Sequence, residues 1–527
     1  VSTVTCTSDV DDAALARLLV PRTDLVTEQA AGPATFELSR GPYTRWIREV
    51  SVEPLSPGRH RVTERVDFHL AVPLWGVLFV WPIRRRIRRV HRELAAPDFD
   101  PEGRDAEAPP QAAFWEPPQR LDARAAGVLA TICTISVVVG YLGTLITQSI
   151  TFASSQFGSS TAEQSGALAA VRVGVLLALV LVALADRRGR RQLLLFSVIA
   201  GCLTAAAGAL SPDLWVLGIT QTVSRGFSTA ALLLLAVVAA EEMPAGCRAY
   251  AVSVMTLTSA LGAGMCVWFL PLADTGSNGW RILYVIPLAG IPLVAWTARH
   301  LPETLRFQRP HARVPLSGHG RRLWLLGAGL FCAGVFAAPA SQLQNQFLRV
   351  ERGFDASHIT IFTLATSTPA GLGVILGGRL ADTHGRRIVA AIGTVGGTVC
   401  VVISFFVRGW PLWVWSLAGT MFAAAAVPAL GVYGPELFPT GLRGKANGVL
   451  QTAAVAGSSV GLLVAGAMAD HFGRIGPGLA LLAIGPLILV VLVVRYYPET
   501  AQRELEQLNP EDRSDATLAP PLPSLGT

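Results

Sequence analysis

Asp382-Thr383-His384-Gly385-Arg386-Arg387 interrupts a long apolar stretch late in this chain, and a close copy, Asp186-Arg187-Arg188-Gly189-Arg190-Arg191, stands 196 positions earlier. Two further polar signatures return at almost the same offset. Glu241, Pro244, Gly246 and Arg248 reappear 195 positions on as Glu436, Pro439, Gly441 and Arg443, and Pro302-Glu303-Thr304 reappears 196 positions on as Pro498-Glu499-Thr500. Matched offsets of this kind mark a duplicated unit, in which long apolar segments are punctuated by the same charged loops twice over.

The 527 residues are 51% hydrophobic and only 15% charged, with a mean hydropathy of +0.46. That balance is too apolar for an ordinary soluble enzyme and places the chain in a bilayer. A hydrocarbon core of about 30 Å is crossed by roughly 20 apolar residues in a helix. Twelve such runs are predicted, near 125–147, 166–185, 192–210, 214–240, 250–271, 281–299, 322–343, 359–380, 388–407, 411–434, 446–469 and 477–496. The expected fold is an all-α membrane protein of twelve transmembrane helices in two pseudo-symmetric six-helix halves, preceded by a small α+β extension.

Arginine sets the expected orientation. Arg187 to Arg191, Arg248, Arg299 to Arg322, Arg386-Arg387 and Arg443-Lys445 fall in alternate loops, which the positive-inside bias puts in the cytoplasm together with both termini. The net charge of +7 is mostly this bias, so no nucleic-acid partner is expected. The predicted organisation is an N-terminal cytoplasmic region (1–94), a linker (95–124), the first half (125–300), a central cytoplasmic loop (301–321), the second half (322–497) and a cytoplasmic tail (498–527). Seven cysteines lie far apart and mostly within apolar runs, without the spacing of a metal or redox site. No signal peptide is read, because the first run of membrane length starts near Ala125 after a polar stretch.

Before the first span the composition changes. Residues 44–53 and 60–72 interleave Val, Ile, Trp and Phe with charges and flank Pro57-Gly58, which predicts a hairpin. A short apolar stretch then ends at Ile83 and is followed by Arg84-Arg85-Arg86-Ile87-Arg88-Arg89. Residues 35–89 resemble the last strands and closing helix of a polyketide-cyclase-like, helix-grip lipid-binding domain, which implies part of such a domain. The second reading makes Trp75, Trp81 and the arginines an interfacial helix on an anionic leaflet, and a mostly disordered segment is the third. Pro73 and Pro82 bracket too few residues for a thirteenth span.

The repeated loop, a small residue followed by Asp, a basic residue, Gly and two arginines, resembles the signature of the major facilitator superfamily, and the match covers about residues 125–500. Gly378, Asp382, Gly385, Arg386 and Arg387 fit it in the second half, and Asp186, Gly189, Arg190 and Arg191 in the first, with Val182 where the family usually has glycine. The Glu-x-x-Pro-x-x-x-Arg loops and Pro-Glu-Thr ends resemble the sugar-porter branch and related carriers of metabolites and aromatic acids. That resemblance implies a gating network of bidentate ion pairs at the inner helix ends: Asp186, Arg190, Arg191, Glu241 and Arg248 in one cluster, Asp382, Arg386, Arg387, Glu436 and Arg443 in the other.

Other family signs are missing. Gln342, Gln344 and Gln346 do not have the sugar-porter glutamine spacing, no glycine-proline antiporter motif lies between Ser259 and Pro271, and Val139-Gly140-Tyr141-Leu142 replaces the Asp-Gly-Tyr-Asp of aromatic-acid carriers. The predicted spans hold no Asp or Glu except at their ends, but they do hold arginine. Arg225, eleven residues into span four, is expected near mid-membrane, where a charge must face a cavity and meet an anion or helix carbonyls. Arg172 is expected to snorkel towards the outer interface. Family geometry puts spans one, four, seven and ten around the cavity, which makes Tyr141, Thr144, Gln148, Gln221, Gln342 and Tyr433 candidate contacts beside Arg225.

The expected function is a secondary active or facilitative carrier of a small organic solute, an organic anion or a sugar-like metabolite, working by alternating access. An efflux pump and a transporter-like sensor signalling through the N-terminal region are the alternatives. No nucleophile-base set, phosphate loop or metal cluster is legible, so neither catalysis nor a cofactor is expected. A monomer in the inner membrane, with the bilayer and a small molecule as partners, completes the reading.

Overall fold

The computed structural model describes residues 2–96, 117, 120–244, 247–301, 319–431, 433, 437–438 and 443–499. The chain begins with β1 (Ser2–Asp11), α1 (Asp12–Leu18), β2 (Thr27–Gly32), β3 (Thr35–Arg40), β4 (Tyr43–Ser56), β5 (Arg59–Leu70) and α2 (Gly76–Ala95). The strands form one antiparallel sheet in the order β1-β5-β4-β3-β2. The expected hairpin is β4–β5, and it turns at Gly58 with φ +76°, a conformation open to glycine without steric cost.

The sheet extends further than the hairpin. β1 pairs with β5 along its whole length, Ser2 opposite Phe68 and Asp11 opposite Arg59, so the unit is more than the last strands of a domain. The apolar stretch and the basic run are one helix, α2, with Pro82 inside it. Its Ile83 and Ile87 pack on Val4, Trp46, Val66 and Phe68 of the sheet.

Two ion pairs are sealed in this unit. Arg22 holds Glu64 in a bidentate pair at 2.7 and 2.8 Å, and Arg48 pairs with Glu28 at 2.7 Å while donating to the carbonyls of Leu18 and Val20. Trp46 donates to Glu28 at 2.8 Å, and His91 of α2 lies 2.7 Å from Glu64. Every carboxylate here has several partners, the condition under which buried charges are tolerated. Burial alone would raise the Glu64 carboxyl, but the His91 hydrogen bond and the Arg22 guanidinium more than offset it and bring it down to about 2.

The rest of the described chain is a bundle of long apolar helices. Spans one to five are α3 (Ala123–Phe157), α4 (Thr161–Arg188), α5 (Arg190–Ala207), α6 (Leu214–Glu242) and α7 (Arg248–Trp268). Span six is α8 (Trp280–Val285) and α9 (Gly290–Thr297), parted by a 3-10 turn containing Pro287. Span seven is α10 (Gly320–Gln342), continued by α11 (Gln344–Gln346) and a π turn to Glu351. Then come α12 (Ala356–Ser367), α13 (Ala370–His384), α14 (Arg386–Phe406), α15 (Trp410–Gly431), α16 (Arg443–Phe472), α17 (Ile475–Leu482) and α18 (Ile484–Tyr496).

Eleven continuous stretches among the described residues are long and apolar enough to cross a membrane. The run expected as the eighth span is instead α12 and α13, divided at Thr368-Pro369. Proline lacks the amide that would continue the ladder and its ring crowds the preceding turn, so the helix breaks there.

Packing repeats as the sequence does. α3 meets α7 where a Cβ on Gly140 would strike the Ser259 carbonyl, and α10 meets α16 where a Cβ on Gly457 would strike that of Phe331. α4 against α6 (Gly174 on Thr222) is matched by α13 against α15 (Gly377 on Ala425). Such close backbone approach is how helices associate where lipid removes the hydrophobic drive. The repeated loop glycines, Gly189 at φ +103° and Gly385 at φ +94°, turn α4 into α5 and α13 into α14.

Candidate functional site

Arg225 on α6 points at α3 and donates to the Gly143 carbonyl at 2.5 Å. A guanidinium has five donors, and this is the one for which the described residues give a protein acceptor. Thr144, half-buried, follows Gly143 on the same helix. Arg172 on α4 lies near enough to Arg225 for their charges to interact.

Arg172 does not snorkel outward as expected. It turns into the seam between the halves, donating to Ser458 on α16 at 3.5 Å and, in the amide orientation that satisfies both groups, to the Gln342 amide oxygen on α10, from Nη2 and, at 3.2 Å, from Nε. α4 and α16 approach closely enough to draw the side chain inward, with Ser459 donating to the Ala169 carbonyl and Gly466 tight against Ser165. Inside, it finds polar partners; at the periphery it would face hydrocarbon.

The halves are bonded together at the end of the bundle opposite the arginine loops. Arg349, beyond α10, pairs with Asp274 after α7 at 2.8 Å, and its guanidinium covers the Phe152 ring at 4.3 Å. Asp274 also accepts from the first amide of α12, that of Ala356, at 2.6 Å. Asn345 donates to the Gln148 carbonyl and side-chain oxygen at 3.0 and 2.8 Å, Gln346 donates to Thr161 at 2.7 Å, and the Ala162 amide donates to Asp470 at 3.2 Å. Sequence reasoning missed this closure, apart from Gln148, because each residue alone reads as an ordinary loop or cap polar group.

At the arginine-rich end the described bonds run within a half. Arg124 pairs with Glu242 at 3.3 Å, Arg191 donates to the Ala298 carbonyl at 3.3 Å, and Arg322 donates to the Leu437 carbonyl at 3.1 Å. The repeated Pro-Glu-Thr has a clear local task in its second copy. Glu499 accepts from the amides of Arg386 at 3.0 Å and Arg387 at 3.3 Å, satisfying two orphan donors and placing a negative charge at the positive end of α14.

The other expected residues separate. Tyr141 is buried and gives its hydroxyl proton to the Leu283 carbonyl at 2.9 Å, and Gln221 is buried against α5, donating to the Ala205 carbonyl at 3.3 Å. Tyr433 packs edge-on to Tyr497 with ring centroids 5.1 Å apart. Among the described residues no hydrogen bond joins these three to Arg225, whereas Gln342 joins Arg172 and Gln148 joins the far-end closure. The backbones of Asp186, Glu241, Arg248, Asp382 and Arg443 fall in or at the ends of helices, but their side chains, and Glu436 altogether, lie outside the described residues. Arg190, Arg386 and Arg387 stand half-buried at the starts of α5 and α14.

Against this duplicated bundle, a family model described as Major Facilitator Superfamily matches residues 325–523. The second half of the chain thus matches the major facilitator superfamily. The superfamily fold is also that of the xylose transporter XylE from E. coli in its inward open conformation, matched with a TM-score of 0.63 at 15% identity over 73% of this chain and 99% of that one. Among curated relatives, the cis,cis-muconate transport protein of Acinetobacter baylyi is 24% identical over 259 residues, covering 44% of this chain and 59% of the relative's own length. The gallate transporter of Pseudomonas putida is 26% identical over 348 residues, covering 56% and 74%.

Proposed function

We propose that this protein is a membrane carrier that moves a small organic anion by alternating access of its two halves. The observation that carries the reading is Arg225 beside Arg172, two guanidiniums within the spans, with the Asp and Glu residues of the described bundle confined to span ends and loops. Charge of one sign held in a low-dielectric seam is costly until an anion arrives. A carboxylate offers the bidentate acceptor that a guanidinium fork fits. Relatives that carry muconate and gallate, both organic acids, agree with this class of solute.

The closure at Asp274, Arg349, Gln148 and Asn345 supports the other part of the reading. A carrier sealed at that end receives or releases its solute at the arginine-rich end, which the positive-inside bias makes the cytoplasmic face. In this reading the charged loops after spans two and eight, including Asp186, Glu241, Arg248, Asp382, Glu436 and Arg443, form the opposing gate.

The test is uptake into proteoliposomes of labelled aliphatic and aromatic mono- and dicarboxylates beside neutral sugars. Saturable uptake of one or more acids, with the sugars at the level of empty liposomes, is expected. Sugar uptake without acid uptake overturns the proposed solute class, and binding without any uptake favours a sensor.

A further inference from the structure

α2 has two faces. At about 100° per residue, Val77, Leu78, Trp81, Arg85, Arg88, Arg89 and Arg92 fall within one arc of about 120°, and all seven are exposed. The opposite side carries Ile83, Ile87 and His91, which are spent on the sheet. The exposed arc is graded along its length, apolar near the start of the helix and basic beyond Pro82. Val77, Leu78 and Trp81 are 80%, 65% and 68% exposed, unusual values for side chains of that kind in one cluster.

Where α2 starts decides what covers it. Trp75 donates its indole N–H to Thr134 of α3 at 2.9 Å, and the Ala71 carbonyl lies against Gly127 of the same helix. Thr131, one turn from Thr134, donates to the carbonyl of Thr297, the last residue of span six at the arginine-rich end. Trp75 therefore sits at the boundary of the apolar zone, and the uncovered Val77, Leu78 and Trp81 begin within one turn of it. Arg85 lies over the Trp81 ring at 5.7 Å, and Arg88, Arg89 and Arg92 carry the positive charge onward.

We propose that this face of α2 lies in the membrane interface, with Val77, Leu78 and Trp81 dipping into the boundary between headgroups and acyl chains and the arginines bound to the phosphates of anionic lipids. An interfacial helix needs an apolar face, tryptophan near the boundary and basic residues that meet acidic headgroups, and all three are in place beside a helix that already crosses the bilayer. The sheet would then be pinned against the membrane at two points, the Trp75–Thr134 bond and this lipid contact. The occupant is a bilayer surface, since the patch is continuous with the transmembrane body and shares its boundary.

The full-length protein and Trp81→Phe, reconstituted in bilayers with and without phosphatidylglycerol, test this. Lipids brominated near the headgroup end of their acyl chains should quench the emission that distinguishes the two proteins, at least twofold more strongly with phosphatidylglycerol present. Arg85→Gln/Arg88→Gln/Arg92→Gln, whose side chains are exposed, should remove that dependence while leaving the thermal unfolding curve in place. A Trp81 signal that bromolipid leaves untouched and aqueous iodide quenches overturns the proposal. So does one shielded from both quenchers, which would mean a protein surface covers it, and so does quenching indifferent to phosphatidylglycerol.

Discussion

Arg349 and Asp274 stand 75 residues apart in the chain and meet at 2.8 Å across the two halves, with Asp274 also holding the first amide of α12. Both side chains keep some solvent contact, 29% and 30% exposed, so the pair itself contributes only about 1 kcal/mol. That is enough to bias two conformers several-fold. Asp274→Asn is expected to raise labelling of a Thr144→Cys probe by a membrane-impermeant maleimide added to the face that the pair closes, by roughly three- to fivefold. Equal labelling would remove the pair from the gate.

Arg225 is the residue on which the solute class rests. Arg225→Gln should abolish saturable uptake of the carried acid, and Arg225→Lys should restore a minor part of it, because an ammonium keeps the charge and loses the planar fork. A purely structural arginine, satisfied by the Gly143 carbonyl, would give a different result: reduced protein in the membrane and unaltered affinity in whatever remains.

Glu499 serves α14 from a distance of over a hundred residues in sequence. Losing a helix cap costs about 0.5–2 kcal/mol, and Glu499→Ala should lower the melting temperature in detergent by a few degrees, with Glu499→Gln intermediate because its amide oxygen still accepts. The repeated Glu303 lies outside the described residues, and the duplication leads to the same expectation for Glu303→Ala at α5. Unchanged melting in Glu499→Ala would mean that the cap is dispensable.

The N-terminal sheet should be acid-sensitive. The folded Glu64 carboxyl lies at about 2, below the unfolded carboxylate value of about 4.3. The stability it contributes is therefore fully present above about pH 4.3 and is lost as pH falls towards 2. Hydrogen exchange of β5 amides should speed up across that window. Glu64→Gln should exchange fast already at neutral pH, since removing one partner of a buried pair costs about 3–5 kcal/mol. A wild-type β5 that exchanges at one rate throughout the window would count against the ion pairs as a source of stability.

The sequence made the spans legible because each needs an unbroken apolar run, and the loop motifs because they came twice. It hid what depends on distant pairing. β1 has the Ser-Thr-Val-Thr-Cys-Thr-Ser-Asp composition of a loop, and its inward Val4 and Val10 make sense only beside β5. Asp274 and Arg349 each look like a solvated charge at a helix end. Arg172 was misplaced because snorkelling is the default for an isolated arginine in a span, and its partners Gln342 and Ser458 lie in the other half. Pro369 was visible, yet an apolar run on both sides of it outweighed a single breaker.

That placement of Arg172 bears on how the molecule is made. Helices α3 to α9 leave the ribosome and reach the bilayer ahead of α10 to α18, and domains generally fold as units in that order. Until α10 and α16 have been synthesised, the nascent first half carries Arg172 without the Gln342 and Ser458 acceptors that it has in the finished protein. The half-made chain therefore waits with a guanidinium to shelter, and insertion of the seventh and eleventh spans relieves it.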